Sequence, residues 1–294
     1  MSGAPLLILG RGGQLARAVV RRAEAADVAV ISLGRETLDL SHEAPEDRLR
    51  AARPWAVINT AAFTAVDAAE ADPEAAERLN AGAPGRLARA CADMDIPFVH
   101  VSTDYVFDGR KGEPYVESDT PYPLSAYGRS KLAGEEAVKG AGGRAVTVRT
   151  SALFGGEGVN FVTTMLKLAA GRDEVRVVHD QVTCPTLADD LAEALLAAAF
   201  RLRDREALPD ILHFAGTGAV SWDRLATEIF RRSARAGGPS ARVVPVTAEA
   251  YGAAAKRPAD SRLDSGLARR ELGLEARSWD AALDMAFEKK RFEG

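Results

Sequence analysis

The sequence feature that most constrains this fold is a short apolar run that stops abruptly at a cluster of glycines. Residues Leu6–Leu9 are all apolar, Gly10-Arg11-Gly12-Gly13 follows at once, and Gln14–Ala26 is rich in helix-forming residues. This order predicts a buried strand, a tight turn and a helix. At the edge of a parallel sheet, such a turn points backbone N–H groups and the positive end of a helix at a pyrophosphate. Gly10 and Gly13 are therefore candidate dinucleotide-binding residues, and a tight turn without a ligand is the alternative interpretation.

The same alternation of strand and helix repeats through the first half of the chain. Apolar runs at Val28–Ile31, Ala56–Asn59 and Phe98–Val101 have no polar face, and helical stretches at Glu46–Ala52 and Pro84–Met94 separate them. Strands of this kind are buried on both faces, which requires helices above and below the sheet. The sequence therefore predicts an α/β fold with a doubly wound, Rossmann-like parallel sheet.

The second half of the chain has a different rhythm. After residue 150 the alternation gives way to longer loops with scattered helices, which is typical of a smaller C-terminal substrate lobe. A chain of this length is also near the size at which one core divides into two. We predict that residues 1–155 with 187–215 form a dinucleotide-binding domain, and that residues 156–186 with 216–294 form a substrate-binding lobe.

The composition excludes several classes of partner. The 294 residues have a formal net charge of -4 and no block of five or six like charges, so nucleic acid and anionic membranes are not expected partners. No apolar stretch reaches the ~18 residues of a membrane span. Cys91 and Cys184 are far apart, and the four histidines lack the spacing of metal ligands. We therefore expect a cytoplasmic protein without a disulfide or a metal site.

The end of the second predicted strand bears on the choice of dinucleotide. An acidic residue there would bond the adenosine 2′-hydroxyl of NADH, but the chain has Leu33-Gly34-Arg35 at this place. Arg35 is suited to a 2′-phosphate, and the alternative interpretation is an exposed loop arginine. We therefore expect NADPH as the cofactor, with NADH as the second choice.

Hydroxyl groups and a carboxylate follow the fourth predicted strand, at Ser102-Thr103-Asp104, which is the ligand-binding edge of such a sheet. Further on, Ser125 is a suitable N-cap for a helix that carries Tyr127 and Lys131 four residues apart on one face. An ammonium group near the phenol favours the phenolate and opposes the effect of desolvation. The spacing indicates a phenol prepared for proton transfer, whereas the same pair in isolation would be an ordinary helix-surface pair.

Several motifs together resemble a known family over nearly the whole chain. They are, in chain order, Gly10–Leu15, Asn59–Asp67, Ser102–Gly109, Tyr127–Gly134, Arg149–Ser151, Asn160-Phe161, Asp180-Gln181, Pro185-Thr186 and Lys256–Pro258. In these segments the chain resembles the extended short-chain dehydrogenase/reductases, and within them the dTDP-4-dehydrorhamnose reductases. The segment Ser102–Gly109 is the most specific of them.

The resemblance implies reduction of the C4 ketone of a nucleotide-linked 6-deoxy-4-ketohexose, giving a 6-deoxysugar nucleotide such as dTDP-L-rhamnose. It implies that Thr103, Tyr127 and Lys131 are catalytic, that Tyr127 and Lys131 also reach the nicotinamide ribose, and that Thr103 and Asp104 face the sugar. A homodimer is implied as well. The residues implied to line the dinucleotide are Gly13, Gln14, Leu15, Asp39, Leu40, Ala62, Phe63 and Thr64.

Two positions near the expected sugar site call for separate interpretation. The family usually has a large aromatic residue after Arg149-Thr150-Ser151, where this chain has Ala152. Either Phe154 fills the space or the pocket accepts a different or larger hexose. Arg257 suits a diphosphate because a guanidinium can make two parallel hydrogen bonds, and a surface position at a helix end is its alternative interpretation.

Two other functions remain open at this stage. A sugar-nucleotide epimerase would use the same tyrosine and lysine. The other alternative is not an enzyme but a regulatory subunit that binds the cofactor without catalysis. A dehydratase is disfavoured because it needs an Asp-Glu pair after the threonine, and Tyr105 follows Asp104 here. The presence of Thr103, Tyr127 and Lys131 together argues against the regulatory subunit.

Overall fold

Six parallel strands form the central sheet in the described part of this computed structural model, which covers residues 3–42, 44–155 and 158–288. The ends of the predicted domains at residues 1–2, 156–157 and 289–294 lie outside the described residues. All strands of the described residues, of which β1 to β5 and β10 form the central sheet, are in chain order β1 (Leu6–Leu9), β2 (Val30–Leu33), β3 (Ala56–Asn59), β4 (Phe98–Thr103), β5 (Ala145–Thr150), β6 (Leu153–Phe154), β7 (Glu174–Val178), β8 (Val182–Thr183), β9 (Thr186–Leu187), β10 (Ile211–His213), β11 (Val220–Ser221) and β12 (Arg242–Val246).

Helices cover both faces of this sheet, as a doubly wound fold requires. The helices of the described residues are, in chain order, α1 (Gln14–Ala25), α2 (Glu46–Ala52), α3 (Val66–Ala71), α4 (Pro73–Glu77), α5 (Ala83–Asp93), α6 (Ala126–Ala141), α7 (Phe161–Ala169), α8 (Ala188–Arg203), α9 (Trp222–Arg235), α10 (Ala248–Tyr251), α11 (Gly266–Leu272) and α12 (Trp279–Glu288). A π-helical segment, Arg78–Gly82, joins α4 to α5.

The strand order of the large sheet is β10-β5-β4-β3-β1-β2. The chain starts in β1, builds β2 on one side, and then crosses to build β3 and the remaining strands on the other. The order therefore reverses between β1 and β3, and ligands of open α/β sheets bind at the carboxyl ends of strands at such a switch point. The predicted doubly wound parallel sheet is confirmed.

The apolar run of β1 is explained by its two buried faces. Leu6 and Ile8 pack into the core under α1 and α8, whereas Leu7 and Leu9 pack into the core under α5 on the opposite face. Successive side chains of a strand point to opposite faces, so a strand covered on both sides is apolar throughout. The sheet is therefore packed between two apolar cores.

A separate apolar core forms in the second half of the chain, around α7, α9 and α12. Its buried members include Phe154, Met165, Val177 and Ile229, and β12 pairs in parallel with β7 above it. The short strands β6 and β9 pair with each other where the chain passes between this core and the large sheet. Within the described ranges, no helix is both long and apolar enough to cross a membrane.

The boundaries of several predicted elements differ from the structure; the fourth strand, for example, continues beyond Val101 to Thr103. The second strand runs from Val30 to Leu33 rather than from Val28, because the backbone N–H of Val28 closes the end of α1 by donating to the carbonyl of Ala23. The helix predicted from Pro84 is the last part of a longer helical stretch that begins at Pro73.

Candidate active site

The glycine turn after β1 leaves its backbone open toward the ligand edge of the sheet. Gly10 has φ +99°, and a Cβ there would lie 2.7 Å from Oγ1 of Thr60, so this position requires glycine. The N–H of Gly13 donates to the carbonyl of Gly10 (2.8 Å), and Gly13 caps α1 without a side-chain hydrogen bond. The first amide groups of α1 are therefore available to an anion such as a pyrophosphate.

Three of the residues predicted to line the dinucleotide have side chains that are engaged elsewhere in the protein. Gln14 connects α1 to the second half of the chain, because its Nε2 donates to the carbonyl of Leu153 (3.2 Å) and its Oε1 accepts from Asn160 (3.2 Å). Leu15 and Leu40 are buried in the two cores beside the sheet. Their side chains face away from the ligand edge, which leaves main-chain atoms for any contact with a cofactor.

The end of β2 carries charges of both signs. Arg35 is exposed, and the Glu36 carboxylate beside it pairs with Arg11 of the glycine turn (3.6 Å). Asp39 accepts a hydrogen bond from the backbone of Ser41 (2.9 Å), which is the main cause of its lowered pKa. Sequence reasoning missed Glu36, which lies against Gly34 and places an acidic group next to the arginine expected to meet a 2′-phosphate.

The loop after β3 is held in place by a residue that the sequence did not single out. Asn80 lies in the π-helical segment and is fully buried; its Oδ1 accepts from the backbone of Phe63 (2.8 Å) and its Nδ2 donates to the carbonyl of the same residue (3.0 Å). Ala62 and Phe63 are half-buried in this loop, and Thr64 is exposed. Asn80 therefore fixes the backbone at Phe63, the middle one of these three residues predicted to line the dinucleotide.

Thr103 and Tyr127 meet at the carboxyl end of β4. Ser125 caps α6 as predicted, its Oγ accepting from the backbone of Gly128 (3.1 Å), and this starts the helix so that Tyr127 lies in its first turn. A hydrogen bond with Thr103 lowers the pKa of Tyr127, but burial raises it more, to about 12. The ring of Tyr105 contacts Tyr127 edge-on, with 5.9 Å between the ring centres.

Asp104 is buried among hydroxyl groups beside these two residues. Its carboxylate accepts from Thr103 Oγ1 (3.1 Å) and from Ser151 Oγ (2.7 Å), and burial raises its pKa to about 6. Ser151 is also 2.7 Å from the hydroxyl of Thr183. The carboxylate thus holds the Thr103 hydroxyl in position at the edge of the sheet.

Lys131 is only 2% exposed and lies one helical turn beyond Tyr127 on α6. Its Nζ donates to the carbonyl of Val101 (2.7 Å) and is 3.3 Å from Nε2 of His100. Burial lowers the pKa of Lys131 to about 8, although the negative charge of Glu135 opposes the shift. In the protein alone, burial of Tyr127 outweighs the effect expected from the ammonium, because the phenol has a raised pKa.

Two adjoining cavities lie in front of these residues. The smaller cavity, of about 160 Å³, is lined by Thr103, Asp104 and Tyr127 together with Ala152 and Trp222. The larger cavity, of about 570 Å³, is lined mainly by apolar and basic residues of the second half of the chain. The two cavities share three lining residues, which are Val66, Tyr105 and Trp222.

Trp222, which sequence reasoning missed, lines the small cavity together with the aromatic rings of Tyr105 and Tyr127. Ala152 lines the same cavity with φ +41°, a backbone conformation that is uncommon for a residue with a side chain. Phe154 is buried in the second core and does not line the small cavity, so it does not refill the space opposite Ala152. The Trp222 ring packs against Phe161, with 4.6 Å between ring centres.

Arg257 lies in a loop at the larger cavity and not at a helix end. Its guanidinium donates two hydrogen bonds to Asp67 (2.7 and 3.3 Å), and this contact is the main cause of the lowered pKa of Asp67. Gln181, which is 7% exposed, lines the same cavity. The arginine is thus held in a defined place on the cavity wall.

Comparisons with known proteins agree over almost the whole chain. Residues 4–292 match the family model described as the RmlD substrate binding domain. A dTDP-4-dehydrorhamnose reductase of Sinorhizobium fredii is 39% identical over 94% of this chain and 94% of its own. Two crystal structures of dTDP-4-dehydrorhamnose reductases superpose on this structure with a TM-score of 0.90 each, and each match covers 97% of this chain and 99% of the other. One is from Clostridium acetobutylicum (36% identical), and the other, from Bacillus anthracis in complex with NADP, is 33% identical.

The motifs, the site and the similarity thus lead to one family. The matches extend across both the large sheet and the second core, so they are not limited to the glycine turn that many dinucleotide-binding proteins share. This chain belongs to the dTDP-4-dehydrorhamnose reductase family of the extended short-chain dehydrogenase/reductases.

Proposed function

We propose that this protein is an enzyme that uses NADPH to reduce the C4 ketone of a nucleotide-linked 6-deoxy-4-ketohexose. The observation that carries the proposal is the small cavity, in which Thr103 and Tyr127 stand together beside a larger cavity of nucleotide size. The curated relative from Sinorhizobium fredii is a dTDP-4-dehydrorhamnose reductase, which supports dTDP as the nucleotide and deoxysugar synthesis as the role.

The glycine turn fits a dinucleotide. Gly10 leaves no room for a side chain against Thr60, and the uncapped start of α1 offers amide groups to the pyrophosphate. The residues that would hold the cofactor are Gly10, Gly13, Gln14, Leu15, Arg35, Asp39, Leu40, Ala62, Phe63 and Thr64, together with Tyr127 and Lys131. The structure of the Bacillus anthracis relative with NADP supports NADPH as the reductant. When bound, the reduced nicotinamide supplies the hydride that the ketone carbon receives.

The side chains of this protein act on the ketone oxygen. The hydroxyl groups of Thr103 and Tyr127 bind that oxygen, and Tyr127 donates its phenolic proton as the negative charge on the oxygen grows. The proton of Thr103 points at Asp104 in this structure, so Thr103 turns it toward the cavity when the sugar binds. Lys131 stabilises the phenolate that Tyr127 becomes after it has given up its proton.

The larger cavity is the proposed place of the nucleotide. Most of its wall comes from residues between 161 and 257, and Phe161, Trp222 and Tyr251 offer rings on which a base can pack. Arg257 is the candidate for the diphosphate. We also propose the division named above, in which residues 1–155 with 187–215 hold the dinucleotide and residues 156–186 with 216–294 hold the nucleotide sugar.

The test is an assay with NADPH and a dTDP-linked 6-deoxy-4-ketohexose. We expect the absorbance of the reduced nicotinamide to fall in step with the appearance of one 6-deoxyhexose nucleotide, identified by NMR. An epimerase would change the sugar without consuming NADPH, and a regulatory subunit would do neither, so either result would overturn the proposal. NADH in place of NADPH tests the cofactor preference.

Two further expectations concern the protein in the cell. Pairing of two copies, implied by the family resemblance, stays a prediction that light scattering tests. We also propose that the protein is located in the reducing cytoplasm. Its two cysteines, Cys91 and Cys184, support this, because both are buried and neither forms a disulfide.

A further inference from the structure

Three buried polar side chains form a row behind the proposed proton donor. Asn59 ends β3, His100 lies in β4 and Lys131 lies in α6, and each is at most 2% exposed. Asn59 Nδ2 is 3.2 Å from His100 Nδ1, and His100 Nε2 is 3.3 Å from Lys131 Nζ. The row therefore reaches from the loop beside the dinucleotide site to the lysine, through the two nitrogens of one imidazole ring.

The direction of the first hydrogen bond is fixed by the backbone. The N–H of Ala61 points at Oδ1 of Asn59 (3.1 Å), and a backbone N–H can only donate. The side-chain oxygen of Asn59 is therefore on that side, and its NH₂ group faces Nδ1 of His100. Nδ1 must accept, so the proton of the neutral imidazole is on Nε2.

The second contact follows from the first. The N–H at Nε2 points at Nζ of Lys131, which also donates to the carbonyl of Val101 (2.7 Å). An uncharged amine can accept a hydrogen bond from the imidazole N–H with its lone pair while it donates to the carbonyl of Val101. An ammonium group has no lone pair and meets the imidazole N–H as a second donor.

We propose that His100 is a positioning residue that Asn59 holds with its proton on Nε2, so that it presents a donor and not an acceptor to Lys131. The arrangement disfavours the charged form of Lys131 and sets the pH at which this lysine loses its proton. The proposal rests on the role of Lys131 in the proposed reduction. It goes beyond that role by assigning the control of this lysine to Asn59 and His100.

The other charges around Lys131 do not replace this control. Glu135 on the same helix is engaged by Arg149 of β5, through two hydrogen bonds of 2.9 and 2.6 Å. Tyr127 and Asp104 lie on the cavity side. Burial lowers the pKa of Lys131 to about 8, and burial together with the lysine's charge holds the pKa of His100 well below its ordinary value. His100 is therefore neutral, and its tautomer decides what it offers to Lys131.

The chain contains its own reference for a direct test. His213, the other buried histidine, is held in the opposite tautomer, because its Nδ1 faces the carbonyl of Tyr115 (3.0 Å) and its Nε2 faces the guanidinium of Arg149 (3.3 Å). The remaining histidines, His42 and His179, are exposed. Nitrogen NMR of the unmodified, histidine-labelled protein should therefore show two histidines that do not titrate near neutral pH, one protonated on Nε2 and one on Nδ1. Two buried Nδ1–H rings would overturn the proposal.

A pair of variants tests the consequence for Lys131. Asn59→Asp accepts hydrogen bonds from both Ala61 and the imidazole, so it moves the His100 proton to Nδ1 and lets Nε2 accept from the ammonium. We expect the alkaline limb of the kcat profile to move up by about one pH unit. In the His100→Phe background, the same Asn59→Asp change should leave the limb in place.

The outcomes separate the tautomer from simple charge attraction. A shift of equal size in both backgrounds would mean that the new carboxylate acts on Lys131 directly, and it would overturn the proposal, as would no shift in either. The NMR measurement needs neither variant nor substrate, so it still decides the tautomer if a variant fails to fold or if the proposed reduction is wrong.

Discussion

The small cavity and the larger one beside it are built in different ways. In the small cavity, Thr103 and Asp104 are buried, and Asp104 is bonded to Thr103 and to Ser151 at the carboxyl ends of β4 and β5. The walls of the larger cavity come mainly from short strands, loops and helix ends of the second half, and Tyr251, which lines it, is 53% exposed.

In the proposed function, this difference suits the two cavities to different tasks. Groups that move a proton must hold their positions within fractions of an ångström, and a sheet covered on both faces provides that rigidity. Groups that recognise a nucleotide can stand on loops, which tolerate replacement more easily. Changes at the small cavity should therefore affect turnover, and changes in the second half should affect the choice and affinity of substrate.

The largest expected effect is that of Tyr127→Phe. The ring remains and only the transferable proton is lost, so kcat should fall by about 100-fold or more while cofactor binding stays near that of the wild type. Steady-state kinetics and a fluorescence titration with NADPH measure the two quantities. Tyr105→Phe is the matched control, because its ring touches Tyr127 without a proposed role in proton transfer. Retention of more than about a tenth of kcat would contradict the assignment of the proton donor.

Asp104→Asn tests how firmly burial governs the small cavity. The native carboxyl has a pKa raised to about 6, so it keeps a proton that the unfolded chain has already lost, and this contribution to stability disappears as the pH rises through 6. The amide carries no charge, so the variant should gain free energy of unfolding over the wild type by up to about 3 kcal/mol at pH ~8, and by little at pH ~4.

Urea unfolding at both pH values measures this difference. Asp173→Asn, at an exposed position, is the control and should show no such dependence on pH. If the free energies of unfolding of wild type and Asp104→Asn differ by the same amount at both pH values, the pKa of the Asp104 carboxyl is not raised by burial.

Trp222→Ala tests the boundary between the cavities. Removal of the ring should lower kcat/KM for the nucleotide sugar by roughly 10- to 100-fold, mostly through KM, because apolar contacts of this size contribute about 1–3 kcal/mol. Trp222→Phe keeps a ring and should retain most of the activity. Equal losses in both variants would indicate a disturbed fold and not a lost contact with the sugar.

Ala152→Trp sharpens the same test. Because Trp222 already lines a cavity of only about 160 Å³, we expect Ala152→Trp alone to reduce kcat/KM. In the Trp222→Ala background it should instead restore part of the loss. A gain in the otherwise unchanged protein would mean that the cavity has unfilled space for a larger sugar.

The smallest effect is expected for Arg35→Ala at the exposed end of β2. If the guanidinium meets the 2′-phosphate, KM for NADPH should rise by about fivefold, equivalent to ~1 kcal/mol for a solvent-exposed ion pair, and KM for NADH should not change. Arg48→Ala, at another exposed position, is the control. Equal effects on both cofactors would show that Arg35 does not reach the phosphate.

The elements that depend on local pattern could be predicted from the sequence alone. The continuous apolar runs indicated buried parallel strands, the glycines marked the turn after β1, and Ser125 marked the start of α6. The spacing of Tyr127 and Lys131 placed both on one helix for the same reason. Each of these inferences needs only neighbours within about a helical turn, where backbone preferences decide the structure.

The contacts that shape the site were decided by the tertiary structure. Asp67 meets Arg257 across 190 positions of the chain, Asn59 meets His100 across 41, and Trp222 enters the cavity opposite Ala152 from a different core. No local pattern encodes such pairs, because they depend on how the strands are ordered and how helices pack against them. The sequence therefore determined the sheet, the turn and the candidate reacting groups. Packing decided which side chains form hydrogen bonds with those groups and which bury them.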